Sequence, residues 1–400
     1  MRNVTVACVQ PRMKVPETPE EFETEARRFL RQAQAKAAQI VIFPELTGLM
    51  LAPYLVSRFK LGFIKRQAQG QRRGAGFWSR RVGRVAGSTA GALGGGFRGS
   101  LIRLLSKNSD ALKEIYVETF GKLAQEFATA IVGGSLYLHD PETATVRHRA
   151  YLFNADGEVL GYQEKLNLSP DEQDLASPGS DLAVFETRFG RVGLLIGRDA
   201  MYPELARLQA MQGADLLVGI MASPGAAQAK AIRSALAVRA EENQAFVAVS
   251  FMLGPNLLGQ ENKENYFGQS ALLAPISLTL KGDGVLTETG TDRTEGIIAA
   301  TLDGEALDTL RETSGFRPRQ QMHLGNAGPI LAEVYREGLT IEQAIEQRIA
   351  GPAELEPEPV EISLGPPAES FEEVSEEEAP PLPSVPESLS LTSDQESEEL

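Results

Sequence analysis

Short apolar runs alternate with longer stretches of helical periodicity over most of the chain. Val4–Gln10 and Ile40–Phe43 are runs of strand length, rich in β-branched residues, and 130–138 is a third. Such runs are typical of strands that are buried on both faces. A helix is predicted ahead of the third run, with apolar positions at helical spacing. These positions are Leu112, Tyr116, Phe120, Leu123 and Phe127.

The segment after the first strand carries the signature of a helix start. Thr18 is suited to cap the helix, Pro19 follows at its first position, and Glu21 lies three residues after the threonine. These residue types are preferred at those positions. The pattern predicts a helix with one apolar face, made of Phe22, Ala26, Phe29, Leu30, Ala33 and Ala37.

Two hairpins interrupt the alternation of strands and helices. Residues 151–165 are predicted to form two strands about an Asp156–Gly157 turn. Residues 183–197 are predicted to form a second pair of strands, with its turn near Arg188–Gly190. Helices are then predicted at 203–212 and 227–243, and strands near 215–220, 245–251, 270–275, 284–289 and 295–302. Hairpins among alternating strands and helices favour an α/β fold with mixed sheets over an all-parallel one.

Residues 51–109 do not have the pattern of a standard element. They hold 12 Lys and Arg and no acidic residue, with interleaved aromatics and a glycine-rich stretch at 87–100. This mixture suits an anionic membrane surface, where each basic group gains about 1 kcal/mol. The protein's own acidic tail or a nucleic acid offers similar charge complementarity, although no motif indicates specific nucleic-acid recognition. A solvated loop without a partner is the remaining interpretation.

The acidity of the chain belongs to its C-terminal tail. Residues 352–400 carry 15 acidic residues and no Lys, Arg or His, so the formal net charge of −15 leaves residues 1–351 neutral. This segment is rich in Glu, Pro and Ser and cannot bury enough apolar surface to offset its ordering entropy. We predict a disordered tail that is solubilising or binds a partner. A C-terminal helical extension is expected at 321–351, between the folded domain and the tail.

Composition excludes several classes of site. A single cysteine, Cys8, excludes an intramolecular disulfide and a cysteine-rich zinc site. The three histidines lack the spacing of metal ligands, and we predict neither a metal nor a cofactor. The N-terminal apolar run is too short for a signal peptide, and no stretch reaches the roughly 20 apolar residues of a membrane span. The expected location is cytoplasmic, and peripheral to a membrane if residues 51–109 bind lipid.

Three motifs place charged side chains beside predicted strands. IVIFPELTG places Glu45 directly after a buried strand, and GYQEKLNLSPDEQ places Lys165 and Glu172 after a hairpin. In GRVGLLIGRDAMYPELAR, a buried strand is followed by Gly197, Arg198, Asp199 and Tyr202. Each glutamate or lysine alone is most often a solvated surface residue. Later landmarks, VRAEENQAFV and FGQSALLAP, follow in the same order as in one known family.

These motifs resemble those of the nitrilase (carbon–nitrogen hydrolase) superfamily over residues 1–320. The resemblance implies a four-layer αββα sandwich, commonly assembled into homo-oligomers through its α faces, that acts on a small amide-like molecule. It implies that Glu45 is the general base, Lys165 the oxyanion-stabilising cation and Glu172 a second glutamate. Asn167 stands where the family usually has histidine. The family's nucleophilic cysteine falls at Gly197.

Glycine offers no thiol, so the covalent mechanism lacks its nucleophile at residue 197. Cys8, in the middle of the first strand, is expected to be a small buried apolar residue. Ser223 follows the strand at 215–220, in a segment that lines the pocket in relatives, but Glu45 is a poor base for a hydroxyl. Gly197 is also expected to leave a thiol-sized space between Glu45 and Lys165, in which these groups could activate water.

Three interpretations of the function therefore stay open. The first is a pseudoenzyme that keeps the pocket for binding or regulation. The second is an active hydrolase of a small amide, nitrile or carbamoyl compound that uses water or Ser223. The third is a structural subunit that pairs with an active homologue. Retention of Glu45, Lys165 and Glu172 favours a kept pocket, because buried charges are costly unless they are paired.

Overall fold

The computed structural model describes residues 1–55, 96–258 and 264–319, and farther on residues 325, 327–338, 340, 342–343 and 345. The chain divides into two units, Met1–His323 and Leu324–Leu400. The described residues do not include most of the basic segment 51–109 or any of the tail 352–400. The hypotheses of membrane binding and tail docking concern these segments and therefore fall outside the described residues. No helix among the described residues is long and apolar enough to cross a membrane.

The first unit contains fourteen strands and five α-helices among the described residues. The strands are β1 (Val4–Gln10), β2 (Ile40–Phe43), β3 (Ala130–Asp140), β4 (Thr145–Phe153), β5 (Val159–Glu164), β6 (Val184–Thr187), β7 (Gly190–Ile196), β8 (Leu216–Met221), β9 (Ser223–Pro224), β10 (Phe246–Phe251), β11 (Tyr266–Phe267), β12 (Ala271–Leu273), β13 (Val285–Glu288) and β14 (Gly296–Leu302). The helices are α1 (Pro19–Ala35), α2 (Gly96–Phe127), α3 (Pro203–Met211), α4 (Ala226–Asn243) and α5 (Gly304–Thr313). Three 3₁₀ segments are Gly48–Leu55, Gly197–Met201 and Ile276–Leu278. In the second unit, α6 (Ala327–Glu337) lies within the stretch predicted as a helical extension.

Two six-stranded mixed sheets form the centre of the first unit. The first has the order β14-β1-β2-β3-β4-β5 and the second the order β13-β12-β10-β8-β7-β6. In the first sheet, β1, β2 and β3 are parallel neighbours, and the hairpin strands β4 and β5 extend it antiparallel. In the second, β7, β8 and β10 are parallel, with antiparallel strands on both sides. The predicted mixed-sheet α/β class is confirmed.

Three apolar clusters separate four layers. One lies between α1, α2 and the first sheet, where the ring of Phe120 packs against those of Phe22, Phe43 and Phe153. The second joins the two sheets face to face, and it includes Cys8. The third packs α3 and α4 on the other face of the second sheet. This arrangement is the αββα sandwich that the resemblance implies.

Helix α1 begins as its sequence predicts. The Thr18 hydroxyl accepts a hydrogen bond from the backbone N–H of Glu21 at 3.2 Å, and the Glu21 carboxylate accepts one from the N–H of Glu17 at 2.7 Å. The predicted apolar face is buried except at Ala37, which lies beyond the last helical residue with φ of 55°. The chain leaves the helix before that residue could reach the core.

Helix α2 begins earlier than the apolar pattern predicts. It starts at Gly96, within the glycine-rich stretch, although each glycine disfavours a helix by about 1 kcal/mol relative to alanine. Leu105 is buried in the same cluster as Leu112 and Tyr116. The helix therefore extends more than four turns ahead of the predicted pattern, and burial of Leu105 helps to offset the weak local propensity.

Replacing Phe120 by alanine tests the packing of the first layer. Phe120 is fully buried, and its ring lies 4.9–6.0 Å from those of Tyr116, Phe43, Phe22 and Phe153. Phe120→Ala is expected to lower the unfolding free energy by about 3–5 kcal/mol, measured by urea denaturation. Phe316→Ala, at a side chain that is 56% exposed, is the matched control and should change it by no more than about 0.5 kcal/mol. Equal losses would contradict the assigned core.

Candidate functional site

Four strand ends meet around one cavity. Glu45 follows β2, Lys165 follows β5, Gly197 follows β7, and Ser223 follows β8. All four line a cavity of about 270 Å³, together with Glu172, Arg198, Tyr137 and Tyr266. Strand ends place side chains on rigid backbone while leaving them accessible from the edge of the sheet, and ligand sites are often found there.

Lys165 is the centre of the charged cluster. Its Nζ donates to Glu45 Oε1 at 2.8 Å and to Glu172 Oε2 at 2.6 Å. All three residues are 3–5% exposed. An ammonium has three protons, and only two have acceptors among the described residues. The third N–H is therefore available to a ligand.

The protonation states of this cluster are set by mutual attraction. Burial alone would lower the pKa of Lys165, but the carboxylates of Glu45 and Glu172 outweigh it and hold that pKa above its ordinary value. Burial opposes ionisation of Glu172 as well, yet the Lys165 ammonium and His148 hold its pKa well below the usual range. Lys165 is thus a cation and Glu172 an anion at neutral pH.

Glu172 is held from behind by a hydrogen-bond network. Its Oε1 accepts from the Tyr137 hydroxyl at 2.7 Å and from His148 Nδ1 at 2.9 Å. His148 Nε2 lies 2.8 Å from Ser135 Oγ, which accepts from the N–H of Leu46 at 2.9 Å. A neutral His148 with its proton on Nδ1 satisfies every one of these contacts, since the Ser135 hydroxyl can donate to Nε2.

A bulge in β3 positions the turn that carries Glu45. The pairing of β3 with β4 shifts register between Val132 and Ser135. Gly134 in the bulge has φ of +72°, and a Cβ there would lie 2.3 Å from the carbonyl oxygen of Pro44. Only glycine lets the turn approach this closely. The Glu45 carboxylate then reaches Lys165 on one side and the N–H of Ala222, at 2.7 Å, on the other.

Gly197 lies directly against Glu45. Its φ is +53°, in the left-handed region, and a Cβ built on it would lie 2.6 and 2.8 Å from the two carboxylate oxygens of Glu45. The expected thiol-sized space between base and cation is therefore wrong for this structure. The Glu45 carboxylate occupies the place of a side chain at residue 197, and Lys165 and Ala222 hold it there.

Two of the predicted binding residues do not line the cavity. The buried Asp199 accepts from the N–H groups of Leu166 and Asn167 at 3.2 and 2.7 Å, and from the Asn167 side chain at 3.0 Å. It fixes the segment that follows Lys165. Burial raises the pKa of Asp199 to about 6, although Lys165 and these N–H donors partly oppose the shift. Tyr202 precedes α3, where its N–H donates to the Asp199 carbonyl.

Ser223 and Arg198 do line the cavity. Ser223 is 2% exposed, and its Oγ has no hydrogen-bond partner among the described residues. Arg198 is half-buried. Cys8 is fully buried between the two sheets, where burial raises the pKa of its thiol. The prediction that Cys8 is a core residue, away from the chemistry, is confirmed.

The side chains of Glu45, His148 and Glu172 could in principle serve as metal ligands. Their ligand atoms lie within 4.8 Å of one another. However, the Lys165 ammonium already lies at hydrogen-bond distance from both carboxylates. A divalent ion in the same place would face a buried cation, so these residues do not fit a metal.

Sequence motifs did not identify Tyr137, His148 and Ser135. Tyr137 and His148 are direct neighbours across β3 and β4, and their rings stack at 4.2 Å. All three residues lie inside strands. The one sequence signal available there is a polar side chain within a run of buried apolar residues. The motifs that predict site residues lie in segments that follow strands and do not include the interiors of β3 and β4.

The carbon–nitrogen hydrolase family model matches residues 5–312. The chain belongs to the carbon–nitrogen hydrolase family. Glu45, Lys165, Glu172 and Gly197 all lie within the matched range.

Curated relatives of this hydrolase-family protein match about half of the chain. The probable hydrolase YhcX of Bacillus subtilis is 31% identical over 206 residues, which cover 51% of this chain and 39% of that protein. The omega-amidase NIT3 of Saccharomyces cerevisiae is 27% identical over 205 residues, which cover 49% of this chain and 66% of that one.

Solved structures show the same fold. The crystal structure of Saccharomyces cerevisiae Nit3 aligns with a TM-score of 0.54 and 20% identity, covering 80% of this chain and 97% of that chain. An amidase from Nesterenkonia sp. aligns with a TM-score of 0.54 and 20% identity, covering 84% and 96%. At this identity the likeness concerns the fold.

Replacing Lys165 by methionine tests whether the cluster depends on its central cation. The variant leaves Glu45 and Glu172 buried without their countercharge, which is expected to cost about 3–5 kcal/mol of unfolding free energy near neutral pH. Lys122→Met, at an exposed ion pair with Glu23, is the control and should cost no more than about 1 kcal/mol. Urea unfolding measures both. A Lys165→Met protein as stable as the control would refute the assigned role.

The raised pKa of Asp199 predicts a distinctive dependence of the unfolding free energy on pH. Its folded pKa of about 6 lies above the unfolded value of about 3.9. The protonated carboxyl therefore stabilises the folded state fully below about pH 3.9, and this contribution is lost as the pH rises through about 6. Asp199→Asn removes this loss. The unfolding free energy of the variant relative to wild type should rise by about 2–3 kcal/mol between about pH 4 and pH 7. A difference that stays constant over this range would argue against a proton on Asp199.

Proposed function

We propose that this protein is a cysteine-less member of the carbon–nitrogen hydrolase family that binds a small amide-like molecule without hydrolysing it through a covalent intermediate. The observation that carries the proposal is the Lys165 ammonium in the cavity, with two protons bound by Glu45 and Glu172 and the third available. A carbonyl oxygen is the natural acceptor for that third proton.

The nitrogen of a bound amide would find its hydrogen-bond acceptor in Glu45. The Glu45 carboxylate lines the cavity, and each of its oxygens accepts one hydrogen bond, from Lys165 and from the N–H of Ala222, which leaves a lone pair on each for an amide nitrogen. The cluster is buried and fixed by the Tyr137–Glu172–His148 network. Such a site costs little to organise when the ligand arrives, because its side chains are already held in place.

Covalent hydrolysis lacks its nucleophile in this proposal. Gly197 has no side chain, and the Glu45 carboxylate fills the adjacent place. Both carboxylate oxygens of Glu45 are engaged, one by Lys165 and the other by the N–H of Ala222. This arrangement suits a structural carboxylate better than a base poised over a thiol or a water molecule.

A second candidate, an active hydrolase that uses Ser223, is favoured by one observation. The Ser223 hydroxyl is buried at the cavity without a partner among the described residues. A serine nucleophile, however, needs a base within hydrogen-bond reach. No described side chain accepts a hydrogen bond from Ser223 Oγ, so we rank this candidate second.

The interactions expected from the sequence remain proposals. Assembly into homo-oligomers, or pairing with an active homologue, is supported by exposed Leu208, Met211 and Val238 on α3 and α4, each 49–53% exposed. Proteins of the same fold with solved structures include an amidase and a member of the nitrilase superfamily. Binding of the basic segment 51–109 to anionic lipid or to the acidic tail stays a hypothesis, as does a location in the cytoplasm.

Replacing Gly197 by cysteine separates the binding proposal from hydrolysis. Butyramide, which is bound in a crystal structure of the Nesterenkonia sp. amidase, is a suitable probe, with ammonia release as the assay. Wild type should show at most the residual acceleration of about 10³–10⁴ over water that binding and charge alone can give. Gly197→Cys should be faster because it restores a thiol, for which the end of the Glu45 side chain has to shift.

Gly197→Ala is the matched control, since it adds the same Cβ without the thiol. Both variants should lose about 1–2 kcal/mol of unfolding free energy, because the left-handed backbone disfavours a Cβ. Only the cysteine variant should release ammonia from butyramide faster than wild type. Wild-type turnover that exceeds this residual level and equals that of Gly197→Cys would overturn the proposal, and its loss in Ser223→Ala would identify the second candidate. The absence of any butyramide-induced rise in wild-type melting temperature would also overturn it.

A further inference from the structure

Two opposite charges that line the cavity have no partner among the residues that the structure describes. Arg198 and Asp171 are each half-buried at its wall. No ion pair or hydrogen bond of either side chain is found among the described residues, and they do not pair with each other. Most other charges at the cavity are satisfied, as in the Glu45–Lys165–Glu172 cluster. Partly buried charges that are left unpaired lose hydration without compensation.

The charge balance of the cavity limits the ligand. Glu45, Glu172 and Asp171 against Lys165 and Arg198 give the lining three carboxylates and two cations, a formal charge of −1. A purely anionic ligand would gain from Arg198 but face the excess of carboxylates. A purely cationic one would leave Arg198 without a partner. A molecule that carries both charges can satisfy Arg198 and Asp171 together.

We propose that the amide-like ligand is a zwitterion of the amino-acid type, with its carboxylate bound by Arg198 and its ammonium by Asp171. This inference rests on the proposed amide-binding function, because Lys165 is assigned to the amide carbonyl of the same molecule. Arg198 can bind a carboxylate through two parallel N–H donors. The buried Ser223 hydroxyl, unpartnered among the described residues, offers the ligand one more hydrogen-bonding group.

The size of the cavity agrees with this class. Its volume of about 270 Å³ lies just below the range of roughly 300–1,000 Å³ that is typical of small-molecule sites. An amino acid with a side-chain amide, such as L-glutamine, is a small molecule of this kind.

Four probes that share the butyramide skeleton and differ in the charged groups attached to it test the inference by calorimetric titration of the full-length wild-type chain. They are L-glutamine with both charges, glutaramate with the carboxylate alone, 4-aminobutanamide with the ammonium alone, and butyramide with neither. L-Glutamine is expected to bind at least tenfold more tightly than each of the others. If butyramide binds as tightly as L-glutamine, the charge inference is wrong while the amide-binding proposal stands. If no probe binds, the amide-binding proposal itself has failed.

Two variants assign the charges to their residues. Arg198→Gln should reduce the preference for L-glutamine over 4-aminobutanamide about tenfold, and Asp171→Asn should do the same for the preference over glutaramate. Neither side chain has a partner among the described residues, so melting temperatures should stay within a few degrees of wild type. Arg188→Gln, at an exposed arginine outside the cavity, is the control and should keep both ratios. Unchanged ratios in folded Arg198→Gln and Asp171→Asn would overturn the inference.

Discussion

The contact of one ammonium with two buried carboxylates is the constraint on which the rest of the site depends. Lys165 can be buried as a cation only because Glu45 and Glu172 compensate its lost hydration. Those glutamates in turn need fixed positions, which the β3 bulge, the Tyr137 hydroxyl and His148 supply. Strand order, bulge and polar network are therefore parts of one electrostatic arrangement. The arrangement persists although residue 197 cannot act as a nucleophile.

Much of the fold could be predicted from the sequence because its signals are local. The start of α1 is encoded by Thr18, Pro19 and Glu21, and the buried strands by short β-branched runs. The beginning of α2 was not predictable, because burial of Leu105 against a distant sheet overrides unfavourable glycines. The four layers themselves followed from resemblance to a family, since periodicity does not say which faces will pack together.

The candidate site was predictable where its residues lie in segments that follow strands and not where they lie inside strands. Glu45, Lys165, Glu172 and Gly197 belong to contiguous motifs, and the structure brings all four together. His148 reaches Glu172 from the middle of β4, a relation that depends on register. The position of the Glu45 carboxylate, 2.6–2.9 Å from where a Cβ of residue 197 would lie, depends on tertiary geometry that no motif contains.

The hydrogen bond from the Ala222 N–H to Glu45 has a consequence for the motion of the whole sandwich. Glu45 follows a strand of the first sheet and Ala222 a strand of the second, so this 2.7 Å contact ties the two sheets together at the cavity. Separation of the sheets at this edge breaks the bond and exposes one amide hydrogen to solvent. The exchange rate of that single hydrogen therefore reports how often the sandwich opens where a ligand would enter.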